Sequence, residues 1–202
     1  MPLQNRVTPL SELIADPARG LVYGNRGCLH DGSGQIRRRW EVKRWIACRL
    51  EFRGRHRAGG PMPPGRYTGL FFLDDATALA AGHRPCAECR REDYNRFTAI
   101  WSAKADAVDA VLHEERLRRF HPTRLEDLPD GAFVFVDEAP FLVLGDELLR
   151  WTPAGYTERR ARRRGKATLV TPPSTVRVLE AGWKSDLAFL HPSSRSRTGP
   201  SD

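Results

Sequence analysis

Two cysteines three positions apart, in the segment GHRPCAECRRED at residues 82–93, constrain this chain more than any other feature of its sequence. Thiolates with this spacing on a turn converge on one tetrahedral metal ion, and a zinc site of this kind needs two further ligands. A thioredoxin-like redox pair should open a helix directly after a strand, whereas this pair follows a predicted helix and a Gly-His-Arg-Pro segment. Two unpaired buried thiols are the third alternative. The spacing favours zinc, with Cys86 and Cys89 as ligands.

The residues on either side of the cysteines carry the signals of two helix ends. Asp74 or Asp75 can cap a short helix over residues 76–81, which the following glycine ends. Pro85 keeps the helix from resuming before the second cysteine, and apolar residues then recur at helical spacing over residues 91–101. The pattern predicts a turn that carries both cysteines between two helices.

The remaining zinc ligands are predicted from the other cysteines. The chain has four, and Cys48 lies on the apolar face of a predicted strand over residues 43–52, where its thiol faces the core. Cys28 lies in a glycine-rich turn, where a ligand can be aimed freely. The most economical site uses all four cysteines, with Cys48 ranked before Cys28 because a strand holds its residues rigidly. His30 and His56 are the alternative ligands.

The charge of the chain indicates a polyanionic partner. A net charge of +8 and a sequence pI near 9.8 come from 33 Lys and Arg against 25 Asp and Glu. Guanidinium groups hold phosphates through paired hydrogen bonds, and clustered cations with Trp40 and Trp45 among them are typical of nucleic-acid binding. A solvated surface that is arginine-rich only through codon usage is the alternative. We predict contacts with nucleic acid, duplex DNA in preference to RNA, from Arg37, Arg38, Arg39, Arg53, Arg55, Arg57, Arg84, Arg90 and Arg91.

Residues 71–93 resemble the zinc-binding domain of the Ada-type DNA-repair and methylation-response proteins. The hallmark of that domain is a short helix running into Gly-Phe-Arg-Pro-Cys-x-x-Cys, and His83 stands here in place of the Phe. The resemblance implies an Ada-like zinc knuckle in which Cys86 and Cys89 bind zinc. The matching positions are Ala76, residues 78–81, Gly82, Arg84, Pro85, Cys86 and Cys89.

The first cysteine pair of that family has no counterpart in this chain. It should lie about 25 to 30 residues upstream, where the sequence reads RGRHRAGG at residues 53–60. In the family, one cysteine of that pair is the zinc-bound thiolate that accepts a methyl group from a DNA phosphotriester. In this chain only His56 falls near the expected position of the nucleophile. Methyl transfer is therefore an alternative and not the main prediction.

The sequence predicts an α+β fold in two units with a tail. Residues 1–123 form the Ada-like zinc-binding α+β domain, with a small sheet and flanking helices, the last over residues 105–120. Residues 124–192 form a small β-rich domain with a hairpin turn at Asp137–Pro140, and residues 193–202 a disordered tail. No run of about 18 apolar residues occurs and the N-terminus lacks the layout of a secretion signal, so a cytoplasmic protein with no membrane partner is expected.

These observations predict a zinc-binding protein that contacts DNA or RNA, with zinc in a structural role. The alternatives are a metal-dependent nuclease, a sacrificial alkyl acceptor and a protein-interaction adaptor. His113, beside Glu114 and Glu115, offers acid–base chemistry to an enzyme, although such residues are common on helix surfaces. An enzyme needs an open coordination position or an exposed zinc-bound thiolate, whereas a structural zinc site is closed.

Overall fold

The structure, a computed structural model, describes residues 1–53, 60–118, 120–183 and 189–195. Within these residues it is an α+β protein with two six-stranded sheets and four α-helices. The fold class is therefore confirmed at the level of α+β. The predicted nucleic-acid contacts Arg55 and Arg57 and the alternative ligand His56 lie outside the described residues.

The N-terminal sheet is mixed and has the strand order β2-β1-β5-β3-β4-β6. Strands β1 and β5 are parallel, as are β4 and β6, and the other pairs are antiparallel. The sheet therefore ends on β6, the two-residue strand that leads into the cysteine pair. Its strands are β1 Gln4–Val7, β2 Leu13–Ala15, β3 Val22–Asn25, β4 Ile46–Cys48, β5 Leu70–Phe72 and β6 Arg84–Pro85.

The C-terminal sheet is antiparallel throughout, in the order β11-β10-β9-β8-β12-β7. Its strands are β7 His121–Arg124, β8 Phe133–Val136, β9 Ala139–Leu144, β10 Glu147–Thr152, β11 Gly155–Ala161 and β12 Lys166–Leu169. The predicted hairpin turn is present, since β8 and β9 are joined by Asp137 and Glu138, both with positive φ.

Four helices accompany the sheets in the described part of the chain: α1 Asp75–Ala80, α2 Arg91–Trp101, α3 Ala105–Leu117 and α4 Pro173–Glu180. Asp74 caps α1, its side chain accepting a hydrogen bond from the Thr77 amide, and Gly82 follows the helix with a φ of 86°. The first three helices were predicted, although α3 ends before residue 120. Helix α4 was not predicted, because its residues were interpreted as part of a β run.

Helix α1 packs against both sheets and is completely buried. Ala76, Leu79 and Ala80 belong to the large hydrophobic cluster that contains most of the apolar residues of the C-terminal sheet. Ala78 and Ala81 belong instead to the cluster of the N-terminal sheet. Small side chains around the helix let both layers approach it closely. The large cluster consequently includes residues from both predicted domains, that is, from before and after the predicted boundary at residue 124.

Two sequence expectations need correction or completion. The predicted strand over residues 43–52 is paired only at Ile46–Cys48, and Leu50 is 40% exposed, so the alternating apolar face does not continue to Phe52. Of the predicted tail, Ser193 and Ser194 lie in a 3-10 turn, Pro192–Ser194, and the residues after 195 lie outside the described part. Among the described helices, none has the length and apolar character to cross a membrane.

Candidate metal centre

Strand pairing brings Cys48 beside the cysteine pair. Strand β4 runs parallel to β6 with Ala47 opposite Pro85, so the next residues along the two strands are Cys48 and Cys86. The Cys86 amide continues the ladder by donating to the Ala47 carbonyl oxygen at 2.9 Å. On its other side β4 pairs with β3, which places Tyr23 opposite Cys48. The end of β4 and the turn after β6 therefore meet at one point.

Three sulfur atoms converge at that point. The Sγ atoms of Cys48, Cys86 and Cys89 all lie within 4.8 Å of one another, and the three residues are only 7–9% exposed. Sulfurs bound to one tetrahedral zinc ion at about 2.3 Å are about 3.8 Å apart, so small shifts would close the site around the ion. Three thiols in this arrangement could hold a metal ion.

Backbone amides already point at two of these sulfurs. The Glu88 amide donates to Cys86 Sγ at 3.4 Å, and the Arg49 amide donates to Cys89 Sγ, also at 3.4 Å. Hydrogen bonds of this kind favour the thiolate over the thiol, because they stabilise the negative charge. They also fix the direction of each sulfur, as the groups around a metal site commonly do for the ligands.

The three thiols hold their protons unequally. Hydrogen bonds from Cys48 and Cys89 lower the pKa of Cys86 well below its usual range, which favours the thiolate form of its sulfur. Hydrogen bonds with the same two sulfurs, together with burial, raise the pKa of Cys48 far above its usual range. Further thiolates beside the first would repel it, so a cation between the sulfurs is what would let all three ionise. Zinc meets that condition.

Arg84 and Arg90, two of the predicted nucleic-acid contacts, are instead buried and tie the segment around the cysteine pair to the neighbouring helices. The Arg84 guanidinium makes two hydrogen bonds to Asp109 on α3, at 2.8 and 2.6 Å, with both side chains under 5% exposed. Arg90 is ion-paired with Asp75 at the start of α1 and with Asp93 on α2. Their prediction as surface contacts was wrong, because each cation neutralises carboxylates inside the fold and is not available to a polyanion.

The other predicted contacts that the structure describes are exposed. Arg37 pairs with Asp31 and Arg38 with Glu41, but both arginine side chains remain more than half exposed. The remaining three predicted contacts are also exposed: Arg39, Arg53 and Arg91.

Cys28, predicted as the fourth ligand, is not part of the cysteine cluster. Its amide donates to Glu41 at 2.6 Å, and its thiol lies 3.6 Å from the carbonyl oxygen of His30. His30 is buried, and its two ring nitrogens contact Thr68 Oγ1 at 2.6 Å and the Pro63 carbonyl oxygen at 3.2 Å. The glycine-rich turn thus packs against the N-terminal sheet, and its cysteine does not reach the three sulfurs.

A pocket of about 500 Å³ opens onto the cysteine cluster, and all three cysteines line it. Arg44, Arg49 and Arg66 line it as well, and all three are exposed. Of these cations, Arg49 and Arg66 were not predicted to lie at the site. Arg49 had a signal, since it directly follows Cys48, whereas Arg66 comes from a loop before β5 with no pattern that links it to the cysteines.

No protein-family model matches the chain, and no curated protein or solved structure matches it either. The function is therefore inferred from the chemistry of the site.

Proposed function

We propose that the protein binds one zinc ion through Cys48, Cys86 and Cys89 and contacts nucleic acid through the exposed arginines around that site. The convergence of the three buried sulfurs carries this proposal. Thiolates are preferred zinc ligands, and burial protects such a site from oxidation and exchange. The Ada-like resemblance of residues 71–93 is consistent with it, since Cys86 and Cys89 are the positions that the resemblance assigns to zinc.

The zinc part is tested by metal analysis of the purified protein. We expect about one zinc ion per chain, with the content strongly reduced in Cys48→Ser and in Cys86→Ser. Cys28→Ser is the matched control, because it removes the cysteine that lies outside the cluster. Chelation should also lower the melting temperature, since metal binding to the folded state contributes folding free energy. Unchanged zinc in Cys86→Ser would refute the proposal, and loss in Cys28→Ser would assign the site differently.

The nucleic-acid part rests on the exposed cations that flank the three cysteines in the sequence. Arg39 and Arg53 are exposed and lie in the sequence before and after β4, the strand that carries Cys48, and Arg91 is exposed just after Cys89. Neutralising phosphates with such cations releases counterions, which makes the affinity fall steeply with salt and depend little on sequence. We therefore expect binding to duplex DNA without strong sequence preference.

The binding is tested by fluorescence anisotropy with labelled duplex DNA over a series of salt concentrations. The double variant Arg39→Glu, Arg53→Glu should weaken binding to all sequences alike and reduce the salt dependence. The control is Arg163→Glu, Arg164→Glu, which changes the net charge equally but lies in the connection between β11 and β12. Equal weakening by both variants would point to net charge alone, and undetectable binding at low salt would remove nucleic acid as the partner.

The pocket over the cysteines favours a metal-dependent hydrolase, such as a nuclease, as a second candidate function. Catalytic zinc sites have three protein ligands and an open fourth position, whereas structural sites have four protein ligands. Three ligands converge here in the part of the chain that the structure describes, and a pocket reaches all of them. A sacrificial alkyl acceptor has less support, because the three thiols are only 7–9% exposed. Nuclease activity in the zinc-loaded protein, lost in Cys48→Ser, would identify the hydrolase.

A further inference from the structure

We propose that the zinc ion keeps an exchangeable fourth position facing the pocket, and that this pocket binds a phosphomonoester. The ligand is either a free mononucleotide or the terminal phosphate of a nucleic-acid strand, which share the same chemistry. The inference rests on the proposed zinc site and adds to it the class of ligand and the residues that hold it.

The shape of the site gives the first argument. The pocket of about 500 Å³ is lined by Cys48, Cys86 and Cys89 together, so an ion held between their sulfurs faces it. Among the described residues, these three offer the only cluster of metal-ligating side chains. A tetrahedral ion bound by three sulfurs directs its fourth position away from them, and the open space on that side is the pocket.

The charge around the pocket gives the second argument. Within the described residues, none of Arg44, Arg49 and Arg66 is ion-paired with an acidic side chain. Glu88 is the acidic residue on the wall. Three arginines thus outweigh Glu88 and the single negative charge of a zinc ion bound by three thiolates.

This excess of positive charge around the pocket determines which kind of anion the pocket favours. Guanidinium groups bind phosphate oxygens in pairs, and several of them together favour a doubly charged group over a singly charged one. A terminal phosphomonoester carries close to two negative charges near neutral pH, because its second pKa is about 6. A phosphodiester within a strand carries one. The pocket therefore suits a strand end or a mononucleotide better than the interior of a backbone.

The apolar part of the wall gives the third argument. Tyr67 lines the pocket beside the arginines, and this aromatic residue is 48% exposed. Aromatic rings at the side of a phosphate site offer surfaces on which a base can stack, worth about 1–3 kcal/mol per base. The volume also lies in the usual range for organic ligands, about 300–1,000 Å³. A nucleotide uses both the charged and the aromatic walls, whereas inorganic phosphate uses only the first.

The test uses the full chain with Co²⁺ in place of Zn²⁺, because the visible spectrum of Co²⁺ reports its ligands. Four ligands are titrated: inorganic phosphate, adenosine monophosphate, a 5′-phosphorylated oligonucleotide and the same oligonucleotide with a 5′-hydroxyl. We expect phosphomonoesters to change the spectrum, adenosine monophosphate at lower concentration than phosphate, and the 5′-hydroxyl strand to leave it unchanged. Tighter binding of the phosphorylated strand than of the mononucleotide assigns the site to strand ends, and the reverse assigns it to free nucleotides.

Arginine variants locate the ligand in the pocket. Arg49→Gln and Arg66→Gln should each weaken phosphomonoester binding about tenfold while the metal content stays the same. The control is Arg163→Gln, an exposed residue in the connection between β11 and β12. A spectrum that no phosphomonoester changes, in protein that has bound Co²⁺, overturns this inference and leaves the zinc site intact. Equal responses to the two strands overturn it as well. Protein that binds no metal refutes the proposed function itself.

Discussion

Arg84 and Arg91 lie seven positions apart on either side of the cysteine pair, yet their surroundings give them opposite roles. Arg84 is 2% exposed and forms a buried ion pair with Asp109, whereas Arg91 is exposed at the start of α2. A charge buried with its partner is part of the architecture, and a charge in solvent is available to a ligand. Composition alone counts both as basic residues, so it overestimates the cationic surface at the site.

Removing the carboxylate of Asp109 should be strongly destabilising. Asp109→Ala leaves the Arg84 guanidinium buried without its partner, which costs about 3–5 kcal/mol in proteins. Because Arg84 lies in β6, the strand that leads into the turn with Cys86 and Cys89, the affinity of the proposed zinc site should fall as well. Thermal unfolding and metal titration measure the two effects. The control is Arg37→Ala, which breaks the exposed pair with Asp31 and should change the melting temperature little. A small effect of Asp109→Ala would contradict the structural role of this buried pair.

His113 should make the protein less stable in mild acid. It is 4% exposed, and burial lowers its pKa below the usual value, with further lowering by the positive charges of Arg116 and Lys43 against the opposing charge of Glu114. The folded state therefore takes up the proton less readily than the unfolded chain, whose histidines titrate near pH 6.5. Stability should fall as the pH drops below about 6.5 and towards the folded pKa.

The variant His113→Gln isolates this contribution. Melting temperatures of the zinc-loaded wild type and variant are compared at about pH 7.5 and about pH 5.5, where loss of metal affects both proteins alike. The variant should lose less stability than the wild type on acidification, because its side chain does not titrate. An identical loss in the two proteins would show that His113 does not contribute.

At the level of the elements, the sequence predicts those with clear end signals and misses those without. Helix α1 was predicted correctly because its Asp cap and the glycine after its end are local signals. Helix α4 was missed because its alternation of valine with polar residues resembles a strand, although a proline at its first position and Gly182 after its end, with a φ of 75°, fit a helix. The strand around Cys48 was predicted too long, since alternation continues into residues that solvent reaches.

The same limit applies to the candidate metal centre. The Cys-x-x-Cys spacing identifies Cys86 and Cys89 from the sequence, and rigidity on a strand ranks Cys48 before Cys28. The parallel register of β4 with β6, which brings the third sulfur to the pair, is a long-range pairing that no local pattern encodes. For the same reason Arg66, which comes from a separate loop, could not be assigned to the pocket.

The β8–β9 hairpin offers a prediction for a single turn. Glu138 has a φ of 61° in the two-residue turn, a conformation that glycine adopts without steric cost. Glu138→Gly should therefore stabilise the protein by about 1 kcal/mol, which raises the melting temperature by about 2–4 °C in a chain of this size. Glu138→Ala removes the same charge but keeps the Cβ atom, so it should give no such increase. Equal melting temperatures of the two variants would contradict the strain at this position.

At the scale of the whole molecule, one buried carboxylate connects helix α1 to the C-terminal sheet. Asp74, at the N-cap of α1, accepts hydrogen bonds from the amide and hydroxyl of Thr77, from the Tyr156 hydroxyl at 2.8 Å and from the His191 amide at 2.8 Å. Burial raises the pKa of Asp74, and these four donors oppose that rise. Trp151 on β10 also donates to Thr77 at 3.1 Å. The C-terminal sheet is thereby bonded to the helix that leads, through β6, into the turn with Cys86 and Cys89.

Because of this connection, a change in the C-terminal sheet should lower the stability of the zinc site. Tyr156→Phe removes a buried hydrogen bond to a charged group, which contributes about 1.5–3 kcal/mol, and should lower the melting temperature of the zinc-loaded chain. Zinc release, followed with a coloured chelator, and loss of secondary structure, followed by circular dichroism, should shift together, since α1 packs on both sheets. The control is Tyr67→Phe, at a residue that is 48% exposed, and this variant should shift neither signal. If zinc release keeps its wild-type temperature in Tyr156→Phe while the secondary structure unfolds earlier, the two sheets unfold independently and the coupling through Asp74 is wrong.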